Sequence, residues 1–195
     1  ITELPVIAIT PVADVCSSSP SVGLTATPAG GTWSGTGVSG STFDPSTASV
    51  GSNTVTYTVV AAGGCPQVDD NITITVTSAP TATISYVDPF CTSETNPQSV
   101  TLTGSAGGTF SSTAGLTLDG ATGAITPSSS TAGTYTVTYT IAAGGGCPAF
   151  STTYDVTITE LPVIAITPVA DVCSSSPVVA LNATPAGGTW SGTGV

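Results

Sequence analysis

"TYTVTYTIAAGGGCP", Thr134 to Pro148, decides the fold. Tyr135, Val137, Tyr139 and Ile141 fall on one face of an extended chain, and Thr134, Thr136, Thr138 and Thr140 on the other. A period of two with one apolar face is the signature of a half-buried antiparallel strand. The same alternation runs through Val55, Tyr57 and Val59 of "NTVTYTVVAAGGCP" (Asn53 to Pro66), and through Ile72, Ile74 and Val76 of "NITITVT". No stretch sustains a helical period. Turn signals ("PAGG", "DPST", "AAGG", "LDGATG") recur about every 8 to 12 residues, the spacing expected of a sandwich of short strands. Asp119-Gly120 predicts a tight hairpin. Strands are expected at 81–86, 98–104, 108–111, 115–118, 123–126, 133–142 and 150–158. The fold class is all-β, with immunoglobulin-like β-sandwich modules arranged head to tail.

The pattern repeats at two scales. Ile1–Val38 returns as Ile158–Val195, 157 residues on, with only Ser21/Val178, Gly23/Ala180 and Thr25/Asn182 different. Within that unit, "AGGTWSGTGV" at Ala29 is answered by "AGGTFSSTAG" at Ala106. The module is therefore about 78 residues long, and a tandem array is expected. Residues 1–79 form module one, 80–158 module two, and 159–195 the first part of a truncated module three. At that size a domain hides only about 60% of its unfolded surface, so a covalent staple is useful.

Composition excludes whole classes of function. The chain has no Lys, Arg or His and eleven Asp and Glu, a formal charge of −11. Charged residues are 6% of the chain, against about 25% in ordinary domains. With nothing to neutralise a phosphate, nucleic-acid binding is not expected. No apolar run is free enough of Thr, Ser and Gly to span a membrane. A catalytic nucleophile would lack an ordinary base, and no paired Asp/Glu motif stands out, so no enzyme activity and no cofactor are expected.

"GLTLDGATGAITPSSSTAGTYTVTYTI" resembles the immunoglobulin-like and PKD-like repeats of giant bacterial surface proteins. "VCSSSP…AGGTWSGTGVSGSTFDP…GSNTVTYTVVAAGGCP" is similar to cysteine-bearing repeats of Bacteroidota proteins exported by the type IX system, including gliding-motility-associated adhesins. The resemblance covers the whole chain and implies an extracellular or cell-surface array. This chain differs from many such repeats in having no basic residue.

The linkers between modules, "SAP" and "TELP", are short and contain proline, so they are not free hinges. At about 3.3 Å per strand residue, each module adds roughly 35 Å. These features predict a rigid, disulfide-braced spacer in the stalk of a secreted adhesin or in an extracellular filament. Its partners are neighbouring repeats, with lateral self-association through strand edges as a further option. The competing reading is a carbohydrate- or protein-binding accessory module of a secreted enzyme.

Trp33 and Trp190 occupy the place of Phe110, and Tyr57 and Tyr139 lie on the apolar strand face; all five are expected in the core. Asp69 and Asp70, adjacent at the entry to a strand, are weak candidates for calcium ligands, although no Asp-x-Asp-x-Asp run accompanies them. Asn71-Ile-Thr73 and Asn182-Ala-Thr184 match the glycosylation sequon, which matters only in a glycosylating host.

Cys16, Cys65, Cys91, Cys147 and Cys173 suggest disulfides rather than metal or catalysis in an extracellular chain. In a head-to-tail array the first and last strands of a module run the same way. Cys16, after the first strand, then lies at the far end of module one, and Cys65, before the last strand, at the near end. A disulfide tolerates only about 4.4–6.8 Å between Cα atoms. Strand parity thus favours Cys16–Cys147, across the junction. The pairing Cys16–Cys65 with Cys91–Cys147 stays open if Pro11–Ser19 folds back along the module.

Overall fold

The computed structural model describes residues 4–60 and 66–193. It is all-β, and the described residues contain no α-helix. In module one the strands are β1 (Ala8–Ile9), β2 (Val15–Cys16), β3 (Val22–Gly23), β4 (Ala26–Thr27), β5 (Thr32–Ser34), β6 (Val38–Ser39), β7 (Thr42–Phe43), β8 (Gly51–Val59) and β9 (Val68–Thr77). A four-stranded sheet in the order β2-β9-β8-β5 faces the smaller β3-β7-β6 and β1-β4 sheets. Val15, Leu24, Phe43, Val55, Ile74 and Val76 fill the space between, with Trp33 packed at the margin.

Module two contains β10 (Ala82–Ser85), β11 (Phe90–Cys91), β12 (Thr101–Gly104), β13 (Thr109–Ser112), β14 (Gly133–Ile141) and β15 (Phe150–Thr159). Its main sheet runs β11-β15-β14-β13, the same order as in module one, and β10 pairs with β12 opposite. The core gathers Ile84, Tyr86, Phe110, Ile125, Val137, Tyr139, Val156 and Ile158. The two modules are immunoglobulin-like β-sandwiches following one another along the chain.

The long hairpins carry the alternation read from sequence. β14 and β15 pair from Gly133↔Ile158 to Ile141↔Phe150, and β8 and β9 from Gly51↔Val76 to Val59↔Val68. Tyr135, Val137 and Tyr139 are buried, while Thr134 and Thr136 are exposed and Thr138 and Thr140 half-exposed. Period two therefore becomes one dry and one wet face.

Two expected strands do not form ladders. Residues 115–118 and 123–126 meet through the single bridge Leu118↔Ile125, and Ile125 also bridges to Gln98. Gly115 and Gly123 have φ of +108° and +74°, a left-handed backbone that interrupts pairing. Asp119-Gly120 is not a two-residue hairpin either. Asp119 Oδ1 accepts the amides of Ala121 and Thr122, each at 2.9 Å, and the amide of Asp119 donates to Ala124 O. The result is a six-position loop organised by one carboxylate. Pro127 then starts a short 3₁₀ turn, Pro127–Ser129.

The "AGGTW/F" repeat has a packing cause. Trp33 lies opposite Tyr57 and Phe110 opposite Tyr139, with ring centroids 4.6 and 4.7 Å apart. Each tyrosine ring extends over the second glycine of the motif. Its hydroxyl accepts the glycine amide, Gly31 to Tyr57 at 2.8 Å and Gly108 to Tyr139 at 2.9 Å. The hydroxyls donate in turn to Pro28 O and Ser105 O. A Cβ at Gly31 or Gly108 would sit 2.5 Å from a strand carbonyl oxygen. Tyr57, Tyr139 and Phe110 are buried as expected; Trp33 is only half-buried.

Beyond Thr159, β16 (Ala165–Ile166) pairs with β17 (Ala183–Thr184), as β1 pairs with β4. Val163, Ile164 and Val178 are exposed, and Trp190 is 40% exposed, which corrects its expected place in a core. In module one the matching face is covered by Phe43, Val55, Ile74 and Val76. Residues 159–195 contain no counterpart of those four.

Candidate functional site

The site is the joint where module one meets module two. On one side lies a two-residue strand. β2 runs parallel to the end of β9, with Val15↔Val76 and Cys16↔Thr77. Ser17 N donates to Thr77 O at 2.8 Å, Ser19 N to Cys16 O at 2.9 Å, and Ala79 N to Ser17 Oγ at 3.0 Å. These bonds fix Cys16 at the exit of module one, beside the linker.

On the other side lies the hairpin between β14 and β15. Gly144 and Cys147 exchange backbone bonds of 3.1 and 2.9 Å. Gly145 and Gly146 between them have φ of +57° and +78°, the positive values that a type I′ turn requires at both central positions. The lack of side chains here serves a second purpose. A Cβ on Gly146 would overlap Asp14 O and stand 2.7 Å from Val15 Cα, and one on Gly145 would overlap the Thr77 side chain. The hairpin is a plug that only glycine makes thin enough for its socket.

Cys16 and Cys147 are joined by a disulfide with Cα atoms 4.6 Å apart, bridging 131 residues of sequence. Cys16 is fully buried and Cys147 is 6% exposed. The Cys147 sulfur also lies 3.7 Å from Thr77 O and from Ser78 O. The within-module pairings do not form: Cys147 is bonded to Cys16, and Cys91 and Cys173 are unbonded. Cys91 sits beside Thr159 at the end of β15, whereas Cys147 precedes its start, so a strand of about 30 Å separates them. Cys65 lies outside the described residues. Pro11–Ser19 does not fold back along the module; Cys16 stays with Thr77 at the far end.

The remaining candidates stay apart. Asp69 and Asp70 are neighbours on β9, opposite Thr58 and Tyr57, so their side chains leave opposite faces of the strand. Asp70 Oδ1 accepts the amide of Asn71 at 2.9 Å. Among the described residues no three acidic, cysteine or histidine side chains come together to hold a metal. No described helix is long and apolar enough to cross a membrane.

Two features escaped the sequence reading. Asp88 accepts the Tyr154 hydroxyl at 2.9 Å and the Thr157 amide at 3.0 Å, pinning the chain that enters β11 onto β15. That bond to Asp88 raises the Tyr154 phenol above its ordinary pKa. An open groove of about 520 Å³ lies in module one, lined by Leu24, Thr25, Gly31, Trp33, Ser41 and Tyr57.

No protein-family model and no curated protein matches the chain. Similar solved structures include Sidekick-1 immunoglobulin domains 1–5, at 14% identity and a TM-score of 0.46, covering 86% of this chain and 42% of that one. Another is the insect immune protein hemolin, at 13% identity and a TM-score of 0.39, with coverages of 80% and 47%. The chain spans under half the length of either.

Proposed function

We propose that this chain is a structural repeat segment of a secreted bacterial cell-surface adhesin stalk or extracellular filament, acting as a rigid, disulfide-braced spacer. Its modules are residues 1–79, 80–158 and 159–195. The observation that carries this reading is the Cys16–Cys147 bond across the joint. A bond within a module would stabilise that module; a bond across the junction restrains the angle between two. With the covalent linker "SAP" it makes two attachments per joint, which removes most bending freedom. The resemblance to Bacteroidota repeats supports the surface location, and the acidity keeps arrays apart in solution.

Electron micrographs of a chain carrying several copies of the 157-residue unit test the spacer role. The reading expects straight strings one module wide that become visibly more flexible after reduction. Strings equally bent before and after reduction would remove the rigid-brace role, and bundled strands would favour lateral assembly. The groove at Trp33 supports a second reading, an accessory binding module. Glycan-array binding lost in Trp33→Ala would favour it over the spacer.

A further inference from the structure

The far end of module two repeats the backbone and hydroxyl bonds that hold Cys16 in its socket. Cys91 lies on β11 parallel to the end of β15, with Cys91↔Thr159 matching Cys16↔Thr77. Thr92 N donates to Thr159 O at 2.9 Å, as Ser17 N does to Thr77 O. Glu94 N donates to Cys91 O at 2.9 Å, as Ser19 N does to Cys16 O. Leu161 N reaches Thr92 Oγ1 at 3.3 Å, as Ala79 N reaches Ser17 Oγ. Even the hydroxyl on the sulfur recurs, Ser93 Oγ to Cys91 Sγ at 3.1 Å and Ser18 Oγ to Cys16 Sγ at 3.4 Å. The first socket holds a Gly-Gly-Cys hairpin covalently; in the second, Cys91 is unbonded and half-buried.

A plug of the right kind exists in the sequence. Cys65 follows Gly63 and Gly64 as Cys147 follows Gly145 and Gly146. The two glycines that must lack a Cβ against the socket are both kept. Residues 158–195 repeat residues 1–38, and the segment that follows in the repeat, 39–79, carries Gly63-Gly64-Cys65.

We infer that Cys91 is the socket cysteine of the next joint, and that it forms a disulfide with the Gly-Gly-Cys hairpin of the module that begins at residue 159. The two module types would then alternate, each hairpin cysteine bonding backward and each β2- or β11-type cysteine bonding forward. Bond formation takes one proton and one electron from each thiol. An exchanging disulfide, such as oxidised glutathione, accepts them and leaves as two thiols. The Ser93 hydroxyl, helped by its amide, lowers the Cys91 thiol below its ordinary pKa, which favours the attacking thiolate. The inference rests on the spacer reading, because it extends the same brace to every joint.

The test lengthens the chain after Val195 by a second copy of residues 39–79, with Cys65→Ser in the first module so that only the added hairpin has a cysteine at that position. The protein is oxidised with a glutathione couple, alkylated, and digested with pepsin at acid pH, where disulfides do not exchange. Mass spectrometry should recover Cys91 joined to the added cysteine, alongside Cys16 joined to Cys147. Alkylated Cys91, or an added cysteine joined to Cys173, with Cys16–Cys147 intact, overturns this inference and leaves the spacer reading standing. Loss of the Cys16–Cys147 peptide as well would overturn both.

Discussion

Cutting the brace should cost about as much stability as the most damaging single core substitutions, about 4–5 kcal/mol. The Cys16–Cys147 bond closes a loop of 131 residues. Loop-closure entropy for that length corresponds to about 5 kcal/mol at 25 °C. If module one unfolds while module two stays folded, the closed loop shrinks to roughly the part of module one after Cys16, and the same expression still yields about 4 kcal/mol. For domains of this size each kcal/mol moves the melting temperature by about 4 °C or more. Removing the bond should therefore lower the melt by about 15 °C or more. The assay is a circular-dichroism melt of a Cys65→Ser, Cys91→Ser, Cys173→Ser chain, oxidised and then reduced, with the bond verified by mass beforehand. A second readout is cooperativity, since the reduced modules should melt in two separable steps. Curves that superimpose within about 3 °C would refute the reasoning, because the denatured chain would then be no freer without the bond.

Three further outcomes follow from individual groups. Tyr139→Phe leaves the Gly108 amide without its acceptor and Ser105 O without its donor, at a cost of about 1–3 kcal/mol read as a shift in urea midpoint. Burial raises the Tyr86 phenol to about 12, above an unfolded value near 10; its stabilising contribution is therefore complete below about pH 10 and lost as pH rises toward 12, so Tyr86→Phe should flatten an alkaline unfolding curve. With a net charge of −11 and no cation, chains should associate as the carboxylates protonate near pH 4; light scattering that stays flat from pH 7 to 4 would mean charge does not keep them dispersed.

The parts legible in the sequence are those that many residues specify together. β8, β9, β14 and β15 are nine or ten residues long, so their alternation stands clear of noise and fixes register along the whole hairpin. The joint was legible through topology: strand parity puts Cys16 and Cys147 at the same junction before any coordinate is known. What stayed hidden is short. β2 and β11 have two residues each, too few for a period, and are held by their parallel bonds to β9 and β15. The role of Gly145 and Gly146 depends on Asp14, Val15 and Thr77 approaching from another module, which local turn chemistry does not reveal. Residues 115–126 misled because alternation there competes with a left-handed Gly123 and the Asp119 carboxylate. Trp190 misled because the strands that cover its counterpart lie in residues 39–79.

Single-molecule pulling on the ends of the chain tests the covalent brace most directly. The bond bridges 131 of the 195 residues, so force can stretch only the remaining ~64 while the rest of both modules stays out of the load path. At roughly 3.5 Å per extended residue, the oxidised chain should lengthen to about 220 Å and no further, and the reduced chain to about 680 Å. Equal final lengths near 680 Å in both states would mean that Cys16 and Cys147 are not bonded in the oxidised chain, and would contradict a brace that carries load across the joint.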